Sequence, residues 1–288
     1  MKKCRAEQNA PLYSAALGAF DGIHIAPAEI LKNALSGGKG ICVTFKTPPT
    51  TKSGGMLMQP ELKEQKLYEM GFDKVVMLDF ENVKNLPPLE FLKVITDKYN
   101  INRFCCGYDY RFGIGAAGDV ALLSRFCEER GLELSVHEPI SSEGEIVSSS
   151  AIREYLKEGR LERANKLLGH YTEIKVPVSH GDARGRTIGF PTVNQPMPEG
   201  FADLKFGVYE TEIEIDGKVY PSLTNFGIRP TFRLEVPMCE TYIINFSGDV
   251  YGQSLPLKFK RFIRPERKFD SLADLKLGLL KDLESIRG

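Results

Sequence analysis

The sequence predicts a two-domain chain, with an α/β domain on a parallel sheet followed by a small all-β barrel that ends in a helix. Strand-like runs alternate with helical patterns up to about residue 168. Beyond Gly169, short β-rich runs follow one another without helices between them. The length of 288 residues allows one large domain or two of ordinary size, and 42% hydrophobic residues suffice for packed cores.

In the first domain, strands are predicted at residues 13–17, 40–45, 74–78, 103–106 and 133–137, and helices at 28–35, 60–70, 88–99 and 120–130. Helices of this length between strands are typical of crossover connections in a parallel sheet. A further helix is predicted from Ser150 to Leu168, because a polar start, an apolar stripe and a closing Gly169 follow one another. This helix is the expected hinge, so the domains are expected to span residues 1–168 and 169–288.

Strands are predicted in the second domain at residues 173–179, 208–215, 218–225, 240–246 and 255–263. The dipeptide Asp216–Gly217 between two alternating runs predicts a tight hairpin. Several strands joined by turns rather than by helices favour a small antiparallel barrel. The chain is expected to close with a helix over residues 271–287, with Ser271 as its N-cap.

The charge balance argues against one class of partner. Lys plus Arg and Asp plus Glu number 38 each, and 22 of each sign lie up to Leu168, which leaves 16 of each beyond it. Neither half has the basic excess of a nucleic-acid-binding module, so no nucleic-acid partner is expected. No membrane partner is expected either, because no apolar run approaches the roughly 18 to 20 residues that span a bilayer.

The six cysteines show no C-x-x-C pair, and the adjacent Cys105 and Cys106 have spacing unsuited to a metal site. Several cysteines lie in apolar runs, which is typical of reduced core residues. The basic N-terminus also lacks the apolar segment of a secretory signal. These features together predict a cytoplasmic protein with free thiols.

The segment from His180 to Asn194 reads His-Gly-Asp-Ala-Arg-Gly-Arg-Thr-Ile-Gly-Phe-Pro-Thr-Val-Asn. Glycines let backbone N–H groups approach an anion and arginines add positive charge, so this segment suits a phosphate cradle. Thr192 and Asn194 are spaced i, i+2, so on an extended segment their oxygens face one side and can share a hard cation such as Mg²⁺. Spacing alone leaves a second interpretation open, a glycine-rich hairpin with solvated arginines.

A second segment begins with Glu240, continues as an apolar run and ends in Asp249-Val-Tyr-Gly252. A glutamate at the start of an apolar strand can serve as a general base. A glutamate that is simply exposed at a strand end is more frequent, so Glu240 alone does not decide between the two interpretations.

Together these two segments resemble the riboflavin kinase family, in which a glycine-rich loop runs into Pro-Thr-Ala-Asn and a glutamate opens a strand that ends in Asp-x-Tyr-Gly. Val193 stands here for the usual alanine. Residues 225–232 and 262–270 match further family patterns at the expected spacing, so the resemblance covers residues 171–287.

The resemblance implies ATP-dependent phosphorylation of riboflavin to FMN, with Mg²⁺ as the metal. Glu240 would be the catalytic base that takes the proton of the terminal ribityl hydroxyl. Mg²⁺ would be held by Thr192 and the ATP phosphates, with Asn194 beside it. The further contacts implied are Gly181, Arg186 and Gly189 for the phosphates, and Arg264 and Glu266 for the flavin.

The first half is similar to the FMN adenylyltransferase module of bifunctional bacterial FAD synthetases, over about residues 15–153. The matching segments are Leu17-Gly-Ala-Phe-Asp-Gly-Ile-His24, Gly107-Tyr-Asp-Tyr-Arg-Phe-Gly113 with Gly118-Asp119, and Val147-Ser-Ser-Ser-Ala-Ile-Arg153. The similarity implies a nucleotidyltransferase-like, Rossmann-type fold that converts FMN and ATP to FAD. The nucleotide-site residues it implies are Gly18, Phe20, Asp21, His24, Asp109, Arg111, Ser148, Ser149, Ser150 and Arg153. Without the similarity, the three serines would be a plain helix cap.

Two reactive segments depart from that family. Nucleotidyltransferases of this type carry His-x-Gly-His, whose histidines donate to phosphates, whereas this chain has His24-Ile-Ala26-Pro27. Proline supplies neither a side-chain donor nor an N–H. Residues 45–49 read Phe-Lys-Thr-Pro-Pro instead of Phe-Asp-Pro-His-Pro, so Lys46 replaces an acidic residue. Such losses correspond to several kcal/mol of transition-state stabilisation.

Three hypotheses follow. The chain is a bifunctional enzyme that acts on riboflavin, ATP and FMN and forms FAD, or it is a kinase whose first domain is now a scaffold or regulatory module. These two have equal weight at this point. The third hypothesis, a non-catalytic flavin-binding or regulatory protein, is disfavoured because Thr192, Asn194 and Glu240 are all present.

Overall fold

The computed structural model describes residues 11–48, 54–180, 189–228 and 237–287. The chain divides into two compact units, each described by itself below. The first unit comprises Met1–Lys52 and Pro60–Ser148, and the second comprises Ser53–Gln59 and Ser149–Gly288. The domain boundary after Leu168 stays a prediction.

The first unit is built on a parallel five-stranded sheet in the order β3-β2-β1-β4-β5. Its strands are Tyr13–Leu17 (β1), Gly40–Phe45 (β2), Lys74–Leu78 (β3), Ile101–Gly107 (β4) and Glu133–His137 (β5). Its helices are Ile25–Ser36 (α1), Pro60–Glu69 (α2), Phe80–Val83 (α3), Pro88–Tyr99 (α4) and Val120–Arg130 (α5). The predicted α/β alternation is confirmed, and short α3 is an addition to it.

Helix α5 shows how local sequence sets an element of this unit. The Asp119 carboxylate accepts a hydrogen bond from the Leu122 N–H at 2.9 Å, which satisfies a free donor of the first turn. Gly131 ends the helix with φ of 65°, a left-handed conformation that glycine adopts without strain. Between these ends, Leu123 and Phe126 are buried in the core beside the sheet.

The prediction of one helix from Ser150 to Leu168 is wrong. Two helices occupy this stretch, Ser149–Glu158 (α6) and Leu161–Leu168 (α7). Gly159 separates them with φ of 80°, and its N–H reaches back to the Leu156 carbonyl at 3.1 Å. The apolar stripe continues past the break, which is why periodicity alone suggested one helix.

The second unit contains a six-stranded antiparallel sheet in the order β8-β13-β10-β11-β12-β9. The strands are Thr172–Pro177 (β8), Thr192–Pro196 (β9), Gly207–Ile215 (β10), Lys218–Ile228 (β11), Pro237–Ile243 (β12) and Ser254–Arg264 (β13). Two further short strands, Ser141–Ser142 (β6) and Glu145–Ile146 (β7), pair in the first unit. The chain ends in helix α8, Leu272–Arg287.

The sheet of the second unit closes on itself, because its two edge strands meet. The Ser179 N–H donates to the Asn194 carbonyl at 2.8 Å just beyond β8. The Gln195 amide on β9 donates to the carbonyls of Val176 and Leu255, at 2.9 and 2.8 Å. The predicted barrel is therefore confirmed, and a buried glutamine joins its first and last strands.

The barrel interior holds large apolar rings and a row of hydroxyls. Tyr209 and Phe259 are fully buried and meet edge to face, with ring centroids 5.4 Å apart. Beside them, the Thr224 hydroxyl lies 2.7 Å from that of Thr211 and 2.9 Å from that of Thr241. These buried hydroxyls satisfy one another, as polar groups away from water must.

Two local predictions for this unit are confirmed. Asp216 and Gly217, with φ of 50° and 75°, form the two-residue turn that joins β10 to β11. The Asp274 N–H donates to the Ser271 hydroxyl at 3.1 Å, so Ser271 caps helix α8.

Glu240 does not begin its strand, contrary to the sequence-based prediction. Strand β12 starts at Pro237 and ends at Ile243, so Glu240 lies at its middle and is half-buried. Asn245, with φ of 57°, marks the turn that follows. The apolar residues up to Phe246 extended the prediction too far, because they pack on the sheet without belonging to it.

The cysteines within the described ranges, Cys42, Cys105, Cys106, Cys127 and Cys239, are buried free thiols. In the same part of the chain, the structure contains no helix that is both long and apolar enough to cross a membrane.

Asn165 attaches helix α7 to the barrel. Its amide nitrogen donates to the Phe259 carbonyl at 2.8 Å and to the Lys260 carbonyl at 3.3 Å. Its carbonyl accepts from the Thr172 N–H at 2.8 Å and from the Thr172 hydroxyl at 2.9 Å. One buried side chain thus connects helix α7 to strands β8 and β13 by hydrogen bonds.

We predict that Asn165→Leu lowers the free energy of unfolding by at least about 2 kcal/mol, because several buried polar groups lose their partners. Denaturant unfolding measures the change. The same exchange at exposed Asn82 is the control and should change stability by less than about 0.5 kcal/mol. Equal losses in both variants would contradict the role of Asn165.

Candidate active sites

One row of paired residues crosses the barrel sheet and brings the predicted kinase residues together. Asn194 on β9 pairs with Glu240 on β12, and Glu240 pairs in turn with Asn225 on β11. Directly paired residues in antiparallel strands project from the same face. Thr192, two residues before Asn194, faces the same way. Thr192, Asn194 and Glu240 therefore project from one outer face of the barrel, and their roles stay predictions.

Asn194 is the most buried member of this row, with 4% of its surface exposed. Its side-chain oxygen is buried and accepts no hydrogen bond from any residue that the structure describes. A buried oxygen in this state suits a cation or an ordered water. Thr192, Asn194 and Glu240 thus place hydroxyl, amide and carboxylate oxygens on the same face of the sheet.

A cavity of about 230 Å³ opens beside Thr192. Its walls come from β9, from the end of β12 and from the turn before β13. They include Thr192, Val193, Ile243, Phe246, Val250 and Tyr251. A mixed lining of apolar side chains and the hydroxyl-bearing residues Thr192, Ser247 and Tyr251 suits a flat aromatic group that carries polar substituents.

The Asp249-Val-Tyr-Gly252 motif shapes one side of this cavity. The Asp249 carboxylate accepts from the Tyr251 N–H at 3.0 Å, and Gly252 adopts φ of 76°, so the motif forms a tight turn. The Tyr251 ring stacks on His180, with centroids 3.8 Å apart. The turn therefore supports the residue that precedes the glycine-rich loop.

Both stems of that loop contact β9 or β12, the strands that carry Asn194 and Glu240. Ser179 bonds the Asn194 carbonyl at one stem, and at the other Phe190 packs edge to face on Tyr242, with centroids 5.1 Å apart. Gly189 has φ of 85°, a conformation that favours glycine. The predicted phosphate contacts Gly181 and Arg186 lie outside the described residues.

Glu266 lies against β11 next to Asn225. The Asn225 amide donates to the Glu266 carboxylate at 3.4 Å, and a Cβ on Gly227 would collide with that carboxylate. The other predicted flavin contact, Arg264, is bound to Asp282 of α8, at 2.7 Å from its Nη2 atom. Arg264 therefore uses its donors within the protein, while Glu266 is exposed.

The parallel sheet of the first unit creates a second candidate site. Strand order reverses around β1, which lies between β2 and β4, and ligands of such sheets bind at the carboxyl ends of the strands at this switch point. Residues 18–24 follow β1, and Tyr108 and Asp109 follow β4. Topology thus brings Gly18, Phe20, Asp21, His24 and Asp109 to one edge of the sheet, and their role in nucleotide binding stays a prediction. Arg111 forms an exposed ion pair with Asp119 at 3.5 Å.

The loop after β1 is buried and strained. Phe20 and Ile23 have φ of 45° and 44°, a region that a β-branched residue such as isoleucine rarely adopts. The Phe20 ring folds over Gly18, where a Cβ would lie 2.7 Å from a ring carbon. Strain of this kind persists only where surrounding contacts hold the backbone.

A buried lysine that the sequence analysis missed provides such contacts. Lys63 on α2 is 1% exposed and donates to the carbonyls of Ala19, which follows β1, and of Phe45, the last residue of β2. The Thr44 hydroxyl also donates to Ala19, at 2.8 Å. Burial lowers the pKa of Lys63, and the nearby Asp21 carboxylate opposes this shift. The sequence held one signal of this burial, because Lys63 lies four residues before Leu67 and therefore on the same face of α2.

Pro27 occupies the third position of α1, where the helix still has no intrahelical use for a backbone N–H. Proline is therefore tolerated by the fold, but it removes one of the donors that a helix start offers to a phosphate. Lys46, in the segment after β2, is exposed.

The predicted residues around Ser148 fall on both sides of the division between units. Ser148 ends the first unit, whereas Ser149, Ser150 and Arg153 belong to α6 in the second. The Arg153 guanidinium donates to the Gly55 carbonyl at 2.7 Å within that unit. Whether these residues share a site with His24 stays a prediction.

These features define a two-part transferase, with a parallel sheet that has a switch point in its strand order and a barrel that carries a carboxylate beside hydroxyl and amide oxygens. Comparison with known proteins identifies the family. The riboflavin kinase model matches residues 168–288, and the FAD synthetase model matches residues 6–151.

Relatives named bifunctional riboflavin kinase/FMN adenylyltransferase match nearly the whole chain. The protein from Listeria monocytogenes is 31% identical, with 94% of this chain and 90% of the relative covered. The one from Bacillus subtilis is also 31% identical and covers 94% and 91%. The chain belongs to this family of bifunctional enzymes, and it contains both a riboflavin kinase domain and an FAD synthetase domain.

A crystal structure from Streptococcus pneumoniae has the same fold. The TM-score is 0.86 at 29% identity, and the alignment covers 97% of this chain and 95% of that one. That protein is named a macrolide-efflux protein, a name that differs from those of the relatives above. The likeness supports the fold described above.

We predict that Lys63→Met lowers the free energy of unfolding by about 1–3 kcal/mol at neutral pH, because buried carbonyls and Asp21 lose their partner. The pKa of Lys63 is lowered only in the folded state. At pH values between this lowered pKa and the ordinary value of 10.5, the unfolded chain therefore binds more protons than the folded chain. Wild type should therefore gain stability relative to Lys63→Met over that range.

Denaturant unfolding at several pH values measures this difference. Exposed Lys93 on α4 offers a matched control, and Lys93→Met should show no such pH dependence relative to wild type. A wild-type advantage that shrinks as the pH rises would contradict the assignment.

Proposed function

We propose that the barrel unit transfers the γ-phosphoryl group of ATP to the terminal ribityl hydroxyl of riboflavin, with Glu240 as the general base. The pairing of Asn194, Glu240 and Asn225 in one row carries this proposal. It aligns a carboxylate with oxygen ligands on one face, and phosphoryl transfer depends mainly on such positioning.

The residues present fit a divalent cation bound together with ATP. Thr192 and Asn194 would hold Mg²⁺, and the side-chain oxygen of Asn194 is buried without a hydrogen bond from the described residues. No cluster of three acidic, histidine or cysteine ligands occurs in the described part of the chain, which agrees with a metal held mostly by phosphates and water. When bound, Mg²⁺ would neutralise charge on the phosphates.

The nucleotide would occupy the cavity beside Thr192. Its apolar side chains and hydroxyl groups suit the purine base, and its position next to Thr192 would direct the phosphates toward the metal ligands. Gly181, Arg186 and Gly189 of the glycine-rich loop would cover the phosphates. Its stems are attached beside Asn194 and Tyr242, which supports this arrangement.

Riboflavin would approach from the Asn225 side of the row. Glu240 would accept the hydroxyl proton as the oxygen attacks phosphorus, while Glu266 and Asn225 would orient the flavin. Arg264 donates its hydrogen bonds to Asp282. We therefore propose that Arg264 orients the segment that carries Glu266 and does not contact the flavin itself.

We propose further that the first unit converts FMN and ATP to FAD at the switch point of its sheet, more slowly than the barrel forms FMN. Membership in a bifunctional family supports the activity. The replacement of the second histidine by Pro27 supports the lower rate, because that donor contributes to transition-state stabilisation, and Ala26 replaces the glycine that permits close approach of the helix.

We predict that Glu240→Gln lowers the kcat for FMN formation by at least about 10²-fold, the usual scale for loss of a general base. Glu212→Gln makes the same exchange on the same sheet face, away from the row, and should retain activity within about twofold. Turnover of Glu240→Gln near the wild-type value would remove Glu240 from this role.

We predict that incubation of the protein with FMN, ATP and Mg²⁺ yields FAD and pyrophosphate. The double variant Ala26→Gly with Pro27→His should raise this rate by at least about tenfold, because it restores phosphate donors. The kinase rate of the same variant is the internal control and should not change. Absence of FAD with wild type would contradict a retained second activity.

A further inference from the structure

Helix α8 makes a polar attachment to the sheet that the proposed chemistry does not use directly. Asp282 is 5% exposed, although it lies in the apolar stripe that places Leu283 against the barrel. Its carboxylate accepts from the Nε atom of Arg264 at 2.9 Å and from the Nη2 atom at 2.7 Å. A buried carboxylate that binds two guanidinium nitrogens fixes the orientation of that group.

Arg264 also contacts the segment that follows it, so its interaction with Asp282 affects the position of that segment. It ends β13, and its Nη1 atom donates to the Pro265 carbonyl at 3.1 Å. Its guanidinium also lies 5.7 Å from the centroid of the Phe269 ring. The start and the end of residues 265–269 therefore both depend on where Asp282 holds Arg264.

Gly278, one turn before Asp282, provides a second contact. A Cβ at Gly278 would lie 2.6 Å from the Phe269 ring and 2.7 Å from the Nη2 atom of Arg267. Both side chains thus rest directly on the helix backbone. Glycine inside a helix is unfavourable by about 1 kcal/mol relative to alanine. The close approach of these two side chains explains why a glycine occupies this helical position.

The segment held by these contacts carries Glu266. That carboxylate lies on Gly227 and beside Asn225, which pairs across the strands with Glu240. The position of helix α8 therefore determines where a carboxylate lies at the flavin end of the row.

We propose that Asp282 and Gly278 are positioning residues for riboflavin, through residues 264–269. This inference rests on the proposed kinase function. The ATP side should not depend on them, because the contacts described above for Asp282 and Gly278 go to Arg264, Arg267 and Phe269 rather than to Thr192 or Asn194.

Steady-state kinetics with both substrates test the proposal. Asp282→Asn should raise the KM for riboflavin by about tenfold, with the KM for ATP unchanged within about twofold. Glu210→Gln is the matched control, because Glu210 binds Arg261, whose Nη2 atom donates to the Ser285 carbonyl of the same helix without contacting residues 265–269. It should leave both KM values within about twofold of the wild type.

Gly278→Ala separates positioning from folding. Alanine favours the helix, so thermal stability should not fall through helix propensity, yet the displaced Phe269 should raise the KM for riboflavin. Riboflavin fluorescence titrations without ATP should show the same weakening. An unchanged riboflavin KM in both variants, or an equal rise in both KM values, would overturn the inference. A wild type that binds riboflavin but does not phosphorylate it would refute the proposed function instead.

Discussion

The antiparallel register of β9, β12 and β11 is the constraint on which the barrel site depends. It places Asn194, Glu240 and Asn225 side by side on one face. A slip of one residue would turn Glu240 inward among the buried hydroxyls, where an unpaired charge is costly. The interior and the site therefore fix the same register. The closed barrel adds to this, because Gln195 joins β9 to the opposite edge and leaves that strand no freedom to shift.

Much of the fold could be predicted from local sequence. Alternation of apolar runs gave the parallel sheet, Asp216–Gly217 gave a hairpin and Ser271 gave a cap, because each depends on neighbouring residues alone. The break at Gly159 and the start of β12 at Pro237 were missed. Both depend on what the chain packs against, and apolar periodicity does not report where a backbone turns.

The site was predictable where residues act close together in sequence and not where they act across the fold. Thr192 and Asn194 share a strand, so their spacing was informative. Asp282 and Lys63 belong to helices. The partner of Asp282 lies at a distant strand end, and those of Lys63 lie in the loop after β1 and at the end of β2. Each carried one weak signal, a charged residue in an otherwise apolar stripe, which local pattern alone cannot connect to a partner.

In the first unit, the residues that stabilise the sheet differ from those proposed to contact the phosphates. Ala26 and Pro27 can therefore replace family residues without disturbing the fold. The buried strands, the strained loop after β1 and its contacts with Lys63 do not require a histidine or a glycine at the start of α1. Proline at the third helical position has a suitable φ and sacrifices an N–H that the helix does not use. The lost donor affects only a bound phosphate. A domain can therefore keep its full stability while its catalytic rate changes, and this explains how framework and reactive residues diverge within one chain.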